Sequence, residues 1–168
     1  MPIRPAIASV SLGRASAGHK LPEKIQQAAK YGFEGIEIFY ECLEYHAKDL
    51  TGGTSNVNLI EAAHDIRRMC DDASLVVIVL QPFGYYEGLM DPTSHQKMID
   101  KATTWFEMAH ILGTDLMQIP TNFLEEGTTG DVERVTADMI EIADLGLKET
   151  PVIRFAYEGV AWGNHIDT

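Results

Sequence analysis

Apolar positions along the chain fall into two alternating patterns. Short runs rich in β-branched residues are separated by longer stretches in which apolar residues recur at helical spacing. The first strand is predicted at residues 6–11, and Gly13 and Gly18 mark the loop after it. A helix is predicted from Pro22 to Tyr31, because proline suits a first turn where its missing N–H would have no partner. Gly32 stops that helix. The run GIEIF predicts a strand over 35–39. A short helix is expected over 41–50 and a loop over 51–56. Leu59, Ala62, Ala63, Ile66 and Met69 then mark one face of a further helix. LVVIVL at 75–80 is apolar at every position, which predicts a strand buried on both faces. A loop follows to Pro92, then a helix over 94–112 with a glycine stop at Gly113. A strand over 115–119, a loop to Gly130, a helix over 132–147 and a strand over 152–157 complete the pattern.

Strict strand–helix alternation requires a parallel sheet with right-handed crossovers. Two α/β architectures satisfy it, a doubly wound open sheet and part of a (β/α) barrel of the TIM type. The first strand–helix turn, SLGRASAGH, contains no G-x-G-x-x-G, and no G-x-x-x-x-G-K-[ST] loop occurs, so nucleotide binding by either route has no support.

Composition narrows the picture. Hydrophobic residues make up 45% and charged residues 23% of the chain, which excludes a disordered polypeptide. A net charge of −12 argues against nucleic acid, whose phosphates need a Lys/Arg surface, and against an anionic membrane. No apolar stretch reaches the ~20 residues of a membrane span. Cys42 and Cys70 form no C-x-x-C pair and fit two buried thiols in a reducing, cytoplasmic setting.

In both architectures ligands gather at the C-terminal ends of the strands. Ser9 and Ser11, then Arg14 and His19, fall there after the first strand. Glu37 alternates with Ile36 and Ile38, so it shares a face with Phe39. A carboxylate on an inward face needs a cation, a metal or hydrogen-bond donors, and a buried arginine such as Arg154 would serve. Gln81 ends the third strand, Gln118 lies on the fourth and Glu158 follows the fifth. Each also has a purely structural explanation: Gln81 and Gln118 bonded to backbone, Glu158 capping a helix. His19 fits a solvated loop residue and His110 a helix C-terminus. Ser11 has no visible base partner for nucleophilic chemistry.

Five segments, in order and spread over the whole chain, carry a resemblance: SVSLGRASAGH, KYGFEGIEIFYECL, VLQPFGYYEGLMD, DLMQIPTNFL and VIRFAYEGVAWGNHIDT. Together they resemble the front half of the fungal 3-dehydroshikimate dehydratases of quinate catabolism, and more broadly the xylose isomerase-like TIM barrels. The resemblance implies a partial barrel of about five strands and four helices. It implies that residues 1–168 form the N-terminal part of a single (β/α)8 domain. It implies a divalent metal, Mg²⁺ or Mn²⁺, with Glu158 as one ligand. Glu37, Gln81 and Gln118 would contact a small hydroxylated cyclic carboxylate. The family's other ligands and its catalytic acid–base histidine belong to later strands, beyond Thr168, so the chain is expected to be a fragment. A sugar isomerase or epimerase of the same superfamily is the alternative enzyme. A non-catalytic half barrel, self-associating as a homo-oligomer through its open edges, is the alternative from another class.

Overall fold

A computed structural model describes residues 3–166. Five strands take part in a parallel sheet in the order β1-β2-β3-β4-β5: β1 (Ala6–Ala8), β2 (Gly35–Phe39), β3 (Val76–Gln81), β4 (Leu116–Pro120) and β5 (Arg154–Glu158). Five α-helices lie between them: α1 (Leu21–Lys30), α2 (Tyr40–Thr51), α3 (Asn56–Asp72), α4 (Pro92–Leu112) and α5 (Val132–Gly146). The resemblance implied about four helices. The difference is the stretch expected as a short helix over 41–50, which is α2 and more than three turns long. The chain divides into two compact units, one of residues 1–81 with 107–114, the other of residues 82–106 with 115–168.

In the first unit β2 pairs with β1 on one side and β3 on the other, with a register irregularity between Ile36 and Glu37. Leu21, Ile25 and Ala28 form the buried stripe of α1, and Pro22 sits in its first turn. Leu43 and Ala47 of α2 and Ala62, Ala63 and Ile66 of α3 are fully buried. The alanines among them, Ala47, Ala62 and Ala63, leave room for the two helices to pack, with Leu43 and Ile66 filling the space. Gly32 and Gly113 have φ of 81° and 77°, the left-handed conformation expected of helix stops. Cys42 and Cys70 are buried, free thiols.

Two expectations are corrected here. The first strand ends at Ala8, and Ser9–Leu12 turns into a 3₁₀ segment. The accompanying contact is long-range: Ser9 is buried and its Oγ accepts the Phe39 amide at 2.9 Å, where the chain leaves the sheet. The β3 strand is not buried on both faces. Val77, Val79 and Leu80 are buried, but Val76 is 50% and Ile78 38% exposed. The exposure is confined to the first half of the strand, since Leu80, which alternates with Val76 and Ile78, is fully buried.

In the second unit β4 and β5 pair in register from Leu116 opposite Arg154 to Pro120 opposite Glu158. An aromatic core holds the loop after β3 to α4: Phe83 packs edge-on to Trp105 at 5.0 Å and lies 5.9 Å from Tyr86. Helix α5 opens on Asp131, whose carboxylate accepts the Glu133 and Arg134 amides. At the other end of the β-pair, Arg154 donates through Nε and Nη2 to both oxygens of Asp115, each at 2.8 Å. Arg154 therefore serves Asp115 and not Glu37. Among the described residues no helix is long and apolar enough to cross a membrane.

Candidate active site

The C-terminal strand ends of the first unit carry Glu37 and Gln81. Parallel pairing of β2 with β3 sets Phe39 opposite Gln81 and Glu37 opposite Val79, so the two polar side chains reach each other diagonally. Gln81 donates through Nε2 to Glu37 Oε2 in a short hydrogen bond. The amide is the donor that a half-buried carboxylate requires. Beside them, the Arg14 guanidinium lies 5.7 Å over the Phe39 ring and pairs with Glu41 at 2.5 Å. Burial pushes the Glu41 carboxyl up, but the Ser16 amide and Arg14 outweigh it and hold the group below the usual range. Ser11 is exposed within the 3₁₀ segment, and His19 packs its ring close against Gly13.

In the second unit Gln118 and Glu158 stand on neighbouring strands. Gln118 donates through Nε2 to Glu158 Oε2, again in a short hydrogen bond. Its own Oε1 is buried and has no hydrogen-bond partner among the described residues. The Glu158 carbonyl accepts from the Thr121 amide at 2.8 Å, and the Gln118 carbonyl accepts from the Phe83 amide at the same distance. The structure thus joins the four residues expected from the sequence as two acid–amide pairs, one in each unit. The catalytic acid–base histidine is not among them. Its expected place is beyond Thr168, and Thr168 itself lies outside the described residues.

Three further residues of the second unit take part, none of them assigned a role from the sequence: Glu87, and Asn122 and Tyr157 at the ends of the fourth and fifth strands. Glu87 is 2% exposed. Its Oε1 accepts the Asn122 amide at 2.5 Å and the Tyr157 hydroxyl at 3.1 Å, and its carbonyl accepts from Asn122 Nδ2 at 2.9 Å. Burial pushes the Glu87 carboxyl above the usual carboxylate range despite these donors, and burial also pushes the Tyr157 phenol up. These partners lie 35 and 70 residues away in sequence, so no local pattern announces them.

One other group offers ligand types for a cation, His95 with Asp138 and Glu141. It lies on helices α4 and α5, not at strand ends. His95 Nε2 is 2.7 Å from Glu141, Arg134 Nε is 3.0 Å from Asp138 Oδ1, and Asp138 Oδ2 accepts the Gly88 amide at 2.8 Å. Both Asp138 oxygens are already engaged and its charge is neutralised by Arg134. The group is a helix–helix ion network. The donor set at the β5 end is different in kind: an anionic carboxylate and a carboxamide oxygen that lacks a partner among the described residues. Hard oxygen donors of this sort fit a divalent cation rather than a thiol-seeking ion.

Parallel β/α units that bring acids and amides to the strand ends define an α/β protein of the TIM-barrel class. The chain belongs to the xylose isomerase-like TIM barrel family, whose model matches residues 25–166. It is 41% identical, over 99% of its length, to a 3-dehydroshikimate dehydratase of Neurospora crassa, of which it spans 48%. Among solved structures it is similar to a xylose isomerase-like TIM barrel/4-hydroxyphenylpyruvate dioxygenase fusion protein, with 29% identity and a TM-score of 0.78 over 99% of this chain and 23% of that one. It also shares its fold with the IOLI protein, solved with a bound zinc atom, at 14% identity and a TM-score of 0.69 over 92% of this chain and 51% of that one.

Proposed function

We propose that this chain is the N-terminal part of a single (β/α)8 barrel that converts 3-dehydroshikimate to protocatechuate and water in the cytoplasm. The observation that carries the proposal is the 41% identity to the Neurospora dehydratase, which runs over nearly the whole chain. The acid–amide pairs at the strand ends support it, because dehydration of a hydroxylated cyclic carboxylate needs groups that bind hydroxyls and hold a cation.

In this reading Glu158 holds the divalent cation, Mg²⁺ or Mn²⁺, together with ligands from the rest of the barrel. When bound, such an ion polarises a substrate ketone and favours loss of the adjacent proton. Gln118 orients the Glu158 carboxylate through its Nε2, while its buried Oε1 keeps an unused acceptor beside that carboxylate. Gln81 and Glu37 offer a carboxamide and a carboxylate to the substrate's hydroxyls. Glu37 meets them as an acceptor, since it would repel the substrate's carboxylate directly.

The test is release of the aromatic product, followed by ultraviolet absorbance, with Mg²⁺ or Mn²⁺ supplied. The complete protein should turn over and lose activity on Glu158→Ala, and the 168-residue chain alone should be inactive. Turnover that survives Glu158→Ala would sink the assignment. The exposed Val76 and Ile78 favour a second reading, in which the chain self-associates without catalysis. Sedimentation distinguishes the two, since only the second requires a stable oligomer.

A further inference from the structure

Among the described residues Glu87 has no partner with a charged side chain, and a carboxyl buried to 2% exposure is costly core filler. Its Oε2 is buried with no hydrogen-bond partner among those residues, so part of that cost is left uncompensated. An apolar side chain of similar size would serve the core better. What the carboxyl does supply is one acceptor oxygen, Oε1, shared by two donors. One is the Asn122 amide, just beyond β4, and the other is the Tyr157 hydroxyl on β5.

Tyr157 directly precedes Glu158. Successive side chains of a strand point to opposite faces, so the two residues are the two ends of one lever. Anchoring the phenol on one face sets the roll of the strand and thereby the direction of the carboxylate on the other. The backbone beyond is held as well: Thr121 N donates to the Glu158 carbonyl at 2.8 Å, Val160 N to Thr121 Oγ1 at 3.1 Å, and Asn164 N to the Asn122 carbonyl at 3.2 Å. We infer that Glu87 and Tyr157 are positioning residues that aim Glu158, acting from the opposite face of β5 through the shared oxygen Glu87 Oε1. This inference rests on the reading of Glu158 as the cation ligand.

The test is a Mn²⁺ titration of the isotope-labelled complete protein that contains this chain, read as paramagnetic broadening of the amides around Glu158. The wild-type protein should show local, saturable broadening, and Glu158→Gln should abolish it. Tyr157→Phe and Glu87→Ala should weaken the apparent affinity by about 10-fold or more, the range found when partners of metal ligands are removed. Glu87→Gln keeps an acceptor oxygen for both donors and should restore affinity to near wild type. A purely packing role predicts no such rescue pattern, since Tyr157→Phe removes only the hydroxyl. Unchanged affinity in Tyr157→Phe and Glu87→Ala, with Glu158→Gln silent, would overturn the inference. Broadening that persists in Glu158→Gln, or that never centres on Glu158 in the wild type, would instead overturn the ligand reading, and this inference with it. If Glu87→Ala loses the dispersed spectrum of a folded chain, Tyr157→Phe and Glu87→Gln decide.

Discussion

Gln118 and Glu158 are joined side chain to side chain across β4 and β5, amide to carboxylate. Strand register sets up the contact, because Pro120 faces Glu158 and Gln118 sits two residues back on the same face of β4. The pair is therefore a property of the second unit by itself, open to test in the chain as it stands.

Gln118→Glu places two carboxylates in contact. Like charges disfavour joint ionisation, so one carboxyl is pushed upward. A raised folded-state value gives destabilisation at neutral pH that is relieved as pH falls through that value. The melting temperature of the variant should lie below that of the wild type at neutral pH and approach it on mild acidification. Added Mg²⁺ should narrow the gap at neutral pH. A pH-independent gap would show that the two side chains do not meet.

Asp65 gives the opposite sign. Burial pushes its carboxyl up, but Arg68 and His46 outweigh burial and hold it below the usual range. His46 Nε2 is 2.8 Å from Asp65. A depressed carboxyl contributes stability that is present above the ordinary aspartate value of ~3.9 and is lost as pH falls through the folded value. The melting advantage of wild type over Asp65→Asn should thus be present at neutral pH and vanish in acid. Circular dichroism melts across pH measure it.

Asp131→Ala removes the acceptor for the Glu133 amide at 2.8 Å and the Arg134 amide at 3.3 Å. Loss of an N-cap of this kind costs ~0.5–2 kcal/mol. Urea unfolding should report a loss in that range, while Asp131→Asn, which keeps an acceptor oxygen, should lose less.

Burial pushes the Cys70 thiol up to about 12. The thiolate is the reactive form. Cys70 should therefore resist alkylation at mildly alkaline pH in the folded chain and react readily in denaturant. Peptide mapping after a timed iodoacetamide pulse reads the difference directly.

Much of this fold is legible in the sequence because its signals are local. GIEIF defines β2 residue for residue, and the glycines at 32 and 113 end helices as their conformational freedom requires. The pairing of Glu37 with Phe39 on one face follows from alternation alone. What the sequence hides is the choice of partner. Arg154 is near enough in type to serve Glu37, yet Asp115 lies beside it just before β4 and takes it in a two-pronged pair. Ser9 reads as a strand residue until the Phe39 amide is seen to claim its hydroxyl. Glu87 sits among turn residues, where an acid is ordinarily solvated, and its burial depends on Asn122 and Tyr157 from distant parts of the chain.

The uncovered side of β3 also bears on life inside a cell. Val76 and Ile78 present β-branched surface at alternate positions of a strand. That is the kind of surface that chaperones and proteases act on during quality control. Any surface that covers Val76 and Ile78 would therefore also shield the chain from both.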